Sequence, residues 1–200
     1  MKRSRLLAGM LVVGLAMGSF LYTALSPSNI CWGPDKTIES TICHIADHLR
    51  SEGARMSEEN LNFIATTVYE ESLRYNVDYR LILAIMRVES DYRQHVVSSA
   101  GARGFMQIHP SLARGLAKEA GIQYRDFTDL YDTRKNIRLG THYISKLLIL
   151  FDDMPTALFA YNVGHHKAKR LLAANRNPNT TYTRRVIAEY KRNTEKMFTL

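Results

Sequence analysis

Apolar residues in this chain recur at the 3.6-residue spacing of a helix face, and no stretch alternates over the length of a strand. Ile38, Ile42, Ile45 and Leu49 trace one such face. Leu61, Ile64, Val68 and Leu73 trace a second behind Ser57, whose hydroxyl suits an N-cap. Asp78 is placed to cap a third helix, in which Leu81, Ile82, Leu83, Ile85, Met86 and Val88 leave almost no polar side until Arg87 and Glu89. A helix that is apolar all round is predicted to be buried. Beyond a Gly101–Gly104 loop, helices are expected over Ser111–Ala120, closed by Gly121, then Ile137–Phe151, Thr156–Asn162 and Thr183–Met197. There is no internal repeat, βαβ signal or phosphate-binding loop. The reading is a mainly α domain.

The start of the chain obeys a different rule. Lys2, Arg3 and Arg5 precede an uncharged, mostly apolar run from Leu6 to Leu25. A run of about 20 residues is long enough to cross a bilayer core as a helix. Residues 1–28 are therefore read as a signal peptide or signal anchor. The length of the run and the lack of a clean A-x-A site favour the anchor. Residues 29–56 follow as a linker and accessory helix, and 57–200 as the folded domain. With positive charge kept inside, everything after Ser26 is expected on the exported side. Lys and Arg total 27 against 19 Asp and Glu, a net +8 that persists in reduced form without the leading cations. Such an excess favours anionic partners. Export and the absence of a clustered Lys/Arg stripe argue against nucleic acid.

Export also bears on Cys31 and Cys43, the only two cysteines, 12 positions apart. In an oxidising envelope they could close one disulfide, and two buried thiols are the alternative. His44 and His48 sit one helical turn apart, but no Glu follows His44 as a H-E-x-x-H metal site requires. They are read as a solvated helix face, and no metal is expected.

The chemical anomaly is Glu89, at the end of the most apolar helix. Its carboxylate is either solvated at the helix tip or held in an apolar pocket beside a cleft. In the second case burial disfavours the charged form and lifts the pKa from about 4.3 toward 6 or higher. Such a group can donate a proton near neutral pH.

Three ordered segments bear on that choice: Glu89-Ser90, then Gly101-Ala102-Arg103-Gly104-Phe105-Met106-Gln107-Ile108-His109-Pro110, then Ala160-Tyr161-Asn162-Val163-Gly164. In order and spacing they resemble the soluble lytic transglycosylase family, whose fold is lysozyme-like and mostly helical. The resemblance runs from about Leu61 to Tyr190. Phe105 stands where the family usually has Leu, Val163 replaces an Ala, and Tyr92-Arg93-Gln94-His95 replaces the common Asn-Pro pair.

The resemblance implies a peptidoglycan lytic transglycosylase that cleaves between N-acetylmuramic acid and N-acetylglucosamine. Glu89 would act as acid and then as base, closing a 1,6-anhydro ring without consuming water. Ser90 would be a helper hydroxyl, Gln107 would read a sugar, and Met106 would form the apolar floor beside it. Tyr161 would point its phenol toward Glu89, Asn162 would bind glycan or fix the loop, and Tyr182 joins the substrate-binding set. No cofactor is required by this chemistry. A hydrolase of the same fold needs a second carboxylate about 5 to 9.5 Å from the acid. Asp91, Glu70, Glu71, Asp126, Asp129 and Asp132 are the candidates. A catalytically silent wall-binding module is the remaining alternative. The expected partners are peptidoglycan glycan strands, the inner membrane through the N-terminal segment, and a secretion or conjugation machine. The expected place is the periplasmic side of that membrane in a bacterial envelope.

Overall fold

The structure, a computed structural model, describes residues 37–198, which lie in the unit Gly33–Leu200. The element order is α1 (Ile38–Ser51), α2 (Glu58–Tyr75), α3 (Tyr79–Ser90), α4 (Pro110–Ala120), a 3-10 turn (Phe127–Tyr131), α5 (Thr133–Phe151), α6 (Met154–Val163), α7 (His165–Ala173) and α8 (Thr181–Phe198). Among the described residues, extended pairing is limited to isolated bridges from Arg103 to Val97 and Ile108. The mainly α reading holds. The leading apolar run and Cys31 lie outside the described residues. Cys43 is disulfide-bonded. No helix of the described residues is long and apolar enough to cross a membrane.

Capping residues fix where the helices begin. Ser57 accepts from the Asn60 amide, Asp78 from that of Arg80, Asp132 from Lys135 and Asp153 from Thr156, each meeting a donor that the first turn leaves unpaired. The fourth helix starts one residue before its expected position, because Pro110 occupies the first turn and the His109 ring serves as cap. The sequence pattern missed α7, of whose nine residues only Ala168 is buried.

Helix α3 is the centre of the core. Leu81 through Met86 are each no more than 2% exposed, as an all-round apolar helix requires. Along it α8 runs antiparallel. Near the N-terminal end of α3, the Tyr190 hydroxyl donates to Asp78 at 2.9 Å and the Asn193 amide donates to the Arg80 carbonyl at 3.1 Å. At the opposite end Tyr182 meets Glu89.

Helix α1 shares this core through buried Ile45 and Leu49, and here the solvated-face reading fails for one of its two histidines. His48 is buried, its Nε2 lies 3.2 Å from the Tyr92 hydroxyl, and burial lowers its pKa. The face fails as solvent-exposed because Tyr92 folds back beneath α1. Just past α1, Glu52 is tied to Arg192 at 2.8 Å and Lys196 at 2.7 Å on α8. The Arg87 guanidinium of α3 donates to the Glu52 carbonyl. Leu73, expected on the inner face of α2, is 65% exposed, because the buried face of that helix runs through Leu61, Ile64, Val68, Glu71 and Ser72 and Leu73 lies off it.

Close packing at α5 depends on one glycine. A Cβ at Gly140 would meet Met106 Sδ at 2.4 Å and Cβ at 2.6 Å. Gly140→Ala is expected to lower unfolding stability by about 1–3 kcal/mol, the usual range for overpacking. Thermal unfolding of the variant checks this, and an unchanged midpoint would mean that Met106 moves aside freely.

Candidate active site

Two consecutive non-glycine residues in the left-handed region, Asp91 (φ 54°) and Tyr92 (φ 56°), turn the chain sharply at the end of α3. The turn leaves Glu89 in the last helical turn and drives Tyr92 to 2% exposure beneath α1. Glu89 lines a groove of about 550 Å³ between this end of α3 and the face of α8 that carries Arg185, Ala188, Glu189 and Arg192. It is half-buried.

Burial dominates the electrostatics of Glu89. Desolvation raises its pKa to about 7, while the Tyr182 hydrogen bond and the Arg185 charge pull the other way. Tyr182 donates its hydroxyl to Glu89 Oε1 at 2.6 Å. With Oε1 occupied as acceptor, a proton on the neutral acid belongs on Oε2. The helix-tip alternative, a freely solvated carboxylate, does not describe this geometry.

The loop between α3 and α4 is held by residues that already have partners. Ser90 is 2% exposed, and its hydroxyl bridges the Met86 carbonyl at 3.0 Å and the Phe105 carbonyl at 2.8 Å, joining the acid's helix to the loop. Met106 is fully buried, with Thr141 Oγ1 3.9 Å from its sulfur. Neither offers a surface to a sugar, so both expectations are corrected: these side chains support the site from beneath. Gln107, half-buried at φ 49°, donates its amide to the carbonyls of Val96 at 3.1 Å and Gly104 at 2.9 Å. Tyr161 is 8% exposed and donates to the Met106 carbonyl at 2.9 Å, though it lies close enough to Glu89 for that charge to raise its pKa. Asn162 is exposed. The structure thus gathers Glu89, Tyr161 and Tyr182, and the amide of Gln107 is already engaged within its own loop.

Sequence reasoning overlooked Asn136. It is 1% exposed, accepts from the Met106 amide at 2.8 Å, and donates to the carbonyls of Arg103 and Leu130 at 2.9 Å each. Gly104 (φ +80°) sits against it so closely that a Cβ would fall 2.3 Å from Asn136 Nδ2. A polar residue among Ile137, Leu139 and Ile144 was the available signal.

The candidate second carboxylates are all committed. Asp91 pairs with Arg87, and Glu70 with Arg134. Glu71 is buried beside Arg74. Asp126 caps the 3-10 turn and Asp132 caps α5. Asp129 is buried and bound by Lys135 and Arg125, which hold its carboxyl well below the usual range. In the groove itself Glu189 pairs with Arg192. Among the described residues no group of three or more His, Cys, Asp or Glu could hold a metal ion.

Because its folded pKa is raised from 4.5 to about 7, Glu89 keeps a proton that the unfolded chain has lost. Its contribution therefore turns unfavourable as pH rises from 4.5 through 7, by up to about 3 kcal/mol. Glu89→Gln carries no such burden. In urea unfolding it is expected to gain up to about 3 kcal/mol over the wild type at pH 8 and to match it near pH 4. An equal difference at both values would refute the raised pKa.

Residues 66–183, well over half of the chain, match the family model of the transglycosylase SLT domain. Membrane-bound lytic murein transglycosylase E of Buchnera aphidicola is 40% identical over 109 residues, which cover 50% of this chain and 51% of the relative. A transglycosylase of Enterobacteria phage PRD1 is 33% identical over 102 residues, covering 51% and 35%. The chain thus spans about half or less of these relatives. In fold it is similar to the 70 kDa soluble lytic transglycosylase of Escherichia coli, with TM-score 0.61, 20% identity, and coverage of 80% of this chain and 30% of that one. An inactive mutant of the Pseudomonas aeruginosa lytic transglycosylase Slt gives TM-score 0.60 and 22% identity, with the same coverage. By sequence pattern, helical fold and family match, the chain belongs to the transglycosylase SLT domain family.

Proposed function

We propose that this chain is a peptidoglycan lytic transglycosylase that cleaves the bond between N-acetylmuramic acid and N-acetylglucosamine, with Glu89 as acid and then base. The observation that carries this reading is a half-buried carboxyl with a pKa near 7 in a groove, with one oxygen held by a tyrosine. Glu89 Oε2 gives its proton to the glycosidic oxygen as the bond from the muramic C1 breaks. The resulting carboxylate then takes the proton of the 6-hydroxyl as that oxygen closes on C1, so the proton count balances and no water enters. Tyr182 keeps the carboxyl oriented through both steps. With the Gln107 amide engaged within its own loop, exposed Asn162 is the remaining polar candidate for reading a sugar, and Tyr161 fixes the loop behind it.

Ring closure is favoured over hydrolysis because the alternative carboxylates are ion-paired or serve as caps. Without a free carboxylate partner, the N-acetyl oxygen of the substrate bonds C1 as the glycosidic bond breaks, and the 6-oxygen displaces it from C1 as the anhydro ring closes. The names of the relatives support murein as substrate, including those called membrane-bound. Lys2, Arg3, Arg5 and the Leu6–Leu25 run support an exported, membrane-associated placement on the periplasmic side.

Mass spectrometry of digested sacculi is expected to show anhydro-muropeptides, and products with free reducing ends would favour the hydrolase. Glu89→Gln should lose about two to four orders of magnitude in rate. A retained rate would point to the wall-binding module. The acid must start protonated, so activity falls as pH rises through about 7. Tyr182→Phe removes a bond that favours the charged form, so its alkaline limb should move to higher pH. A limb that stays in place would detach Tyr182 from Glu89.

A further inference from the structure

Just past Glu89 the backbone adopts a form that few side chains tolerate. Asp91 (φ 54°) and Tyr92 (φ 56°) both lie in the left-handed region, where a bulky side chain is strained. Such a conformation persists only where its surroundings over-determine it. Tyr92 belongs to the Tyr92-Arg93-Gln94-His95 stretch that stands in place of the family's common Asn-Pro pair. Its side chain is 2% exposed, and its hydroxyl lies 3.2 Å from Nε2 of His48, itself 5% exposed on α1. The two rings meet edge to face. Burial lowers the pKa of His48 and raises that of the Tyr92 phenol, so the two pair as neutral groups near neutrality. Arg87 holds Asp91 at 2.5 Å, and it also donates to the Glu52 carbonyl at 3.2 Å, just past α1. Glu52 is fastened in turn to Arg192 and Lys196 of α8, and with Glu189 these are the charged groups that act on His48. His48, Glu52, Glu189, Arg192 and Lys196 all lie outside residues 66–183, the stretch that matches the family model.

We propose that His48 and Tyr92 are positioning residues for the acid, with α1 as a buttress that holds the turn after α3 in its strained form and so fixes Glu89 against Tyr182, an inference that rests on the reading of Glu89 as the acid. Neither side chain lines the Glu89 groove. They act through the backbone, because Tyr92 leaves the left-handed region only by rotating the peptides that follow Glu89-Ser90. Ser90 stays bonded to the Phe105 carbonyl, so loosening the turn spares the loop. What it changes is the Glu89 carboxyl, which gains water and loses its fixed approach to Tyr182. Glu89 itself faces Tyr161, Tyr182 and Arg185, which stay as they are when the His48–Tyr92 contact is cut.

The test compares the full-chain wild type with Tyr92→Phe, His48→Ala, their double variant and His48→Gln, each checked for folding by circular dichroism. Tyr92→Phe deletes one hydroxyl and keeps the ring, while a Gln amide can pair with that hydroxyl as the imidazole does. On sacculi, Tyr92→Phe and His48→Ala should each lower kcat by roughly tenfold, a fraction of what a misplacement of about 1 Å can cost. KM should hardly move, since neither residue lines the groove. The double variant should be no slower than either single one, as for two groups acting through one contact. His48→Gln should restore most of the rate. In the two damaging variants the alkaline limb of kcat/KM should move down from about 7 toward 4.5 as Glu89 becomes hydrated. An NMR titration of the Glu89 carboxyl carbon, assigned with Glu89→Gln, should show the same fall. Lost thermal stability with kcat, the limb and the Glu89 titration all unchanged overturns the proposal, as does a His48→Gln enzyme no faster than His48→Ala. Where His48→Ala does not fold, Tyr92→Phe decides by the same readings. Should wild type release no anhydro product, the functional reading fails, and the NMR titration of Tyr92→Phe alone decides whether this contact positions Glu89.

Discussion

The site depends on the burial of one carboxyl group by the contact between α3 and α8. A side chain at the end of an apolar helix would ordinarily find water. Here α8 lies antiparallel along α3 and sets the Tyr182 hydroxyl against Glu89, with Arg185 one turn further on. Desolvation then prevails over one hydrogen bond and one cation, and the acid titrates near neutrality. The unfavourable burial persists because α3 is fixed independently. Its six central residues are sealed in the core, and its N-terminal end is sewn to α8 through Tyr190 and Asn193.

A second layer fixes what faces that acid. The loop between α3 and α4 pairs part of its backbone with itself, Arg103 with Ile108 in both directions and the Gly104 amide with the Val96 carbonyl, and side chains satisfy further amides and carbonyls. Asn136 serves two of these groups from below and ties them to the Leu130 carbonyl, Gln107 serves two from within, and Ser90 and Tyr161 each bond a carbonyl of the Phe105-Met106 pair. Buried backbone polar groups without such partners would each carry a desolvation penalty of about 1–3 kcal/mol. In this chain the Gly101–Pro110 segment is therefore largely a scaffold. Most of its polar atoms hold the loop, and only a few remain to meet a ligand. Glu52 extends the same logic to α1, since its ties to Arg192 and Lys196 couple that helix to the one carrying Tyr182.

The helices could be read from the chain because their signals are local. Ser57, Asp78 and Gly121 mark helix ends through bonds and backbone angles within a few residues of themselves, and the apolar period of α3 required burial wherever the helix landed. Glu89 stood out for the same reason, as a charged group closing an apolar segment. Side-chain roles were legible only in part. Ser90 and Met106 have the chemistry of sugar contacts, yet the fold turns them inward. His48 has the spacing of a solvated face, but Tyr92 covers it. Helix α7 escaped notice because a helix with one buried residue leaves little apolar pattern.

By itself, the order of residues determined the helical class and the starts of α2 and α3, and it singled out Glu89, since caps, periodicity and motif spacing are properties of neighbours along the chain. Only the tertiary structure decided that Tyr182, 93 positions away, bonds Glu89. It alone paired or capped the other candidate carboxylates, and it alone set Asn136 beneath the loop. These outcomes depend on how α8 and α5 pack against α3. A proton affinity fixed by burial and distance exists only once distant segments have come together.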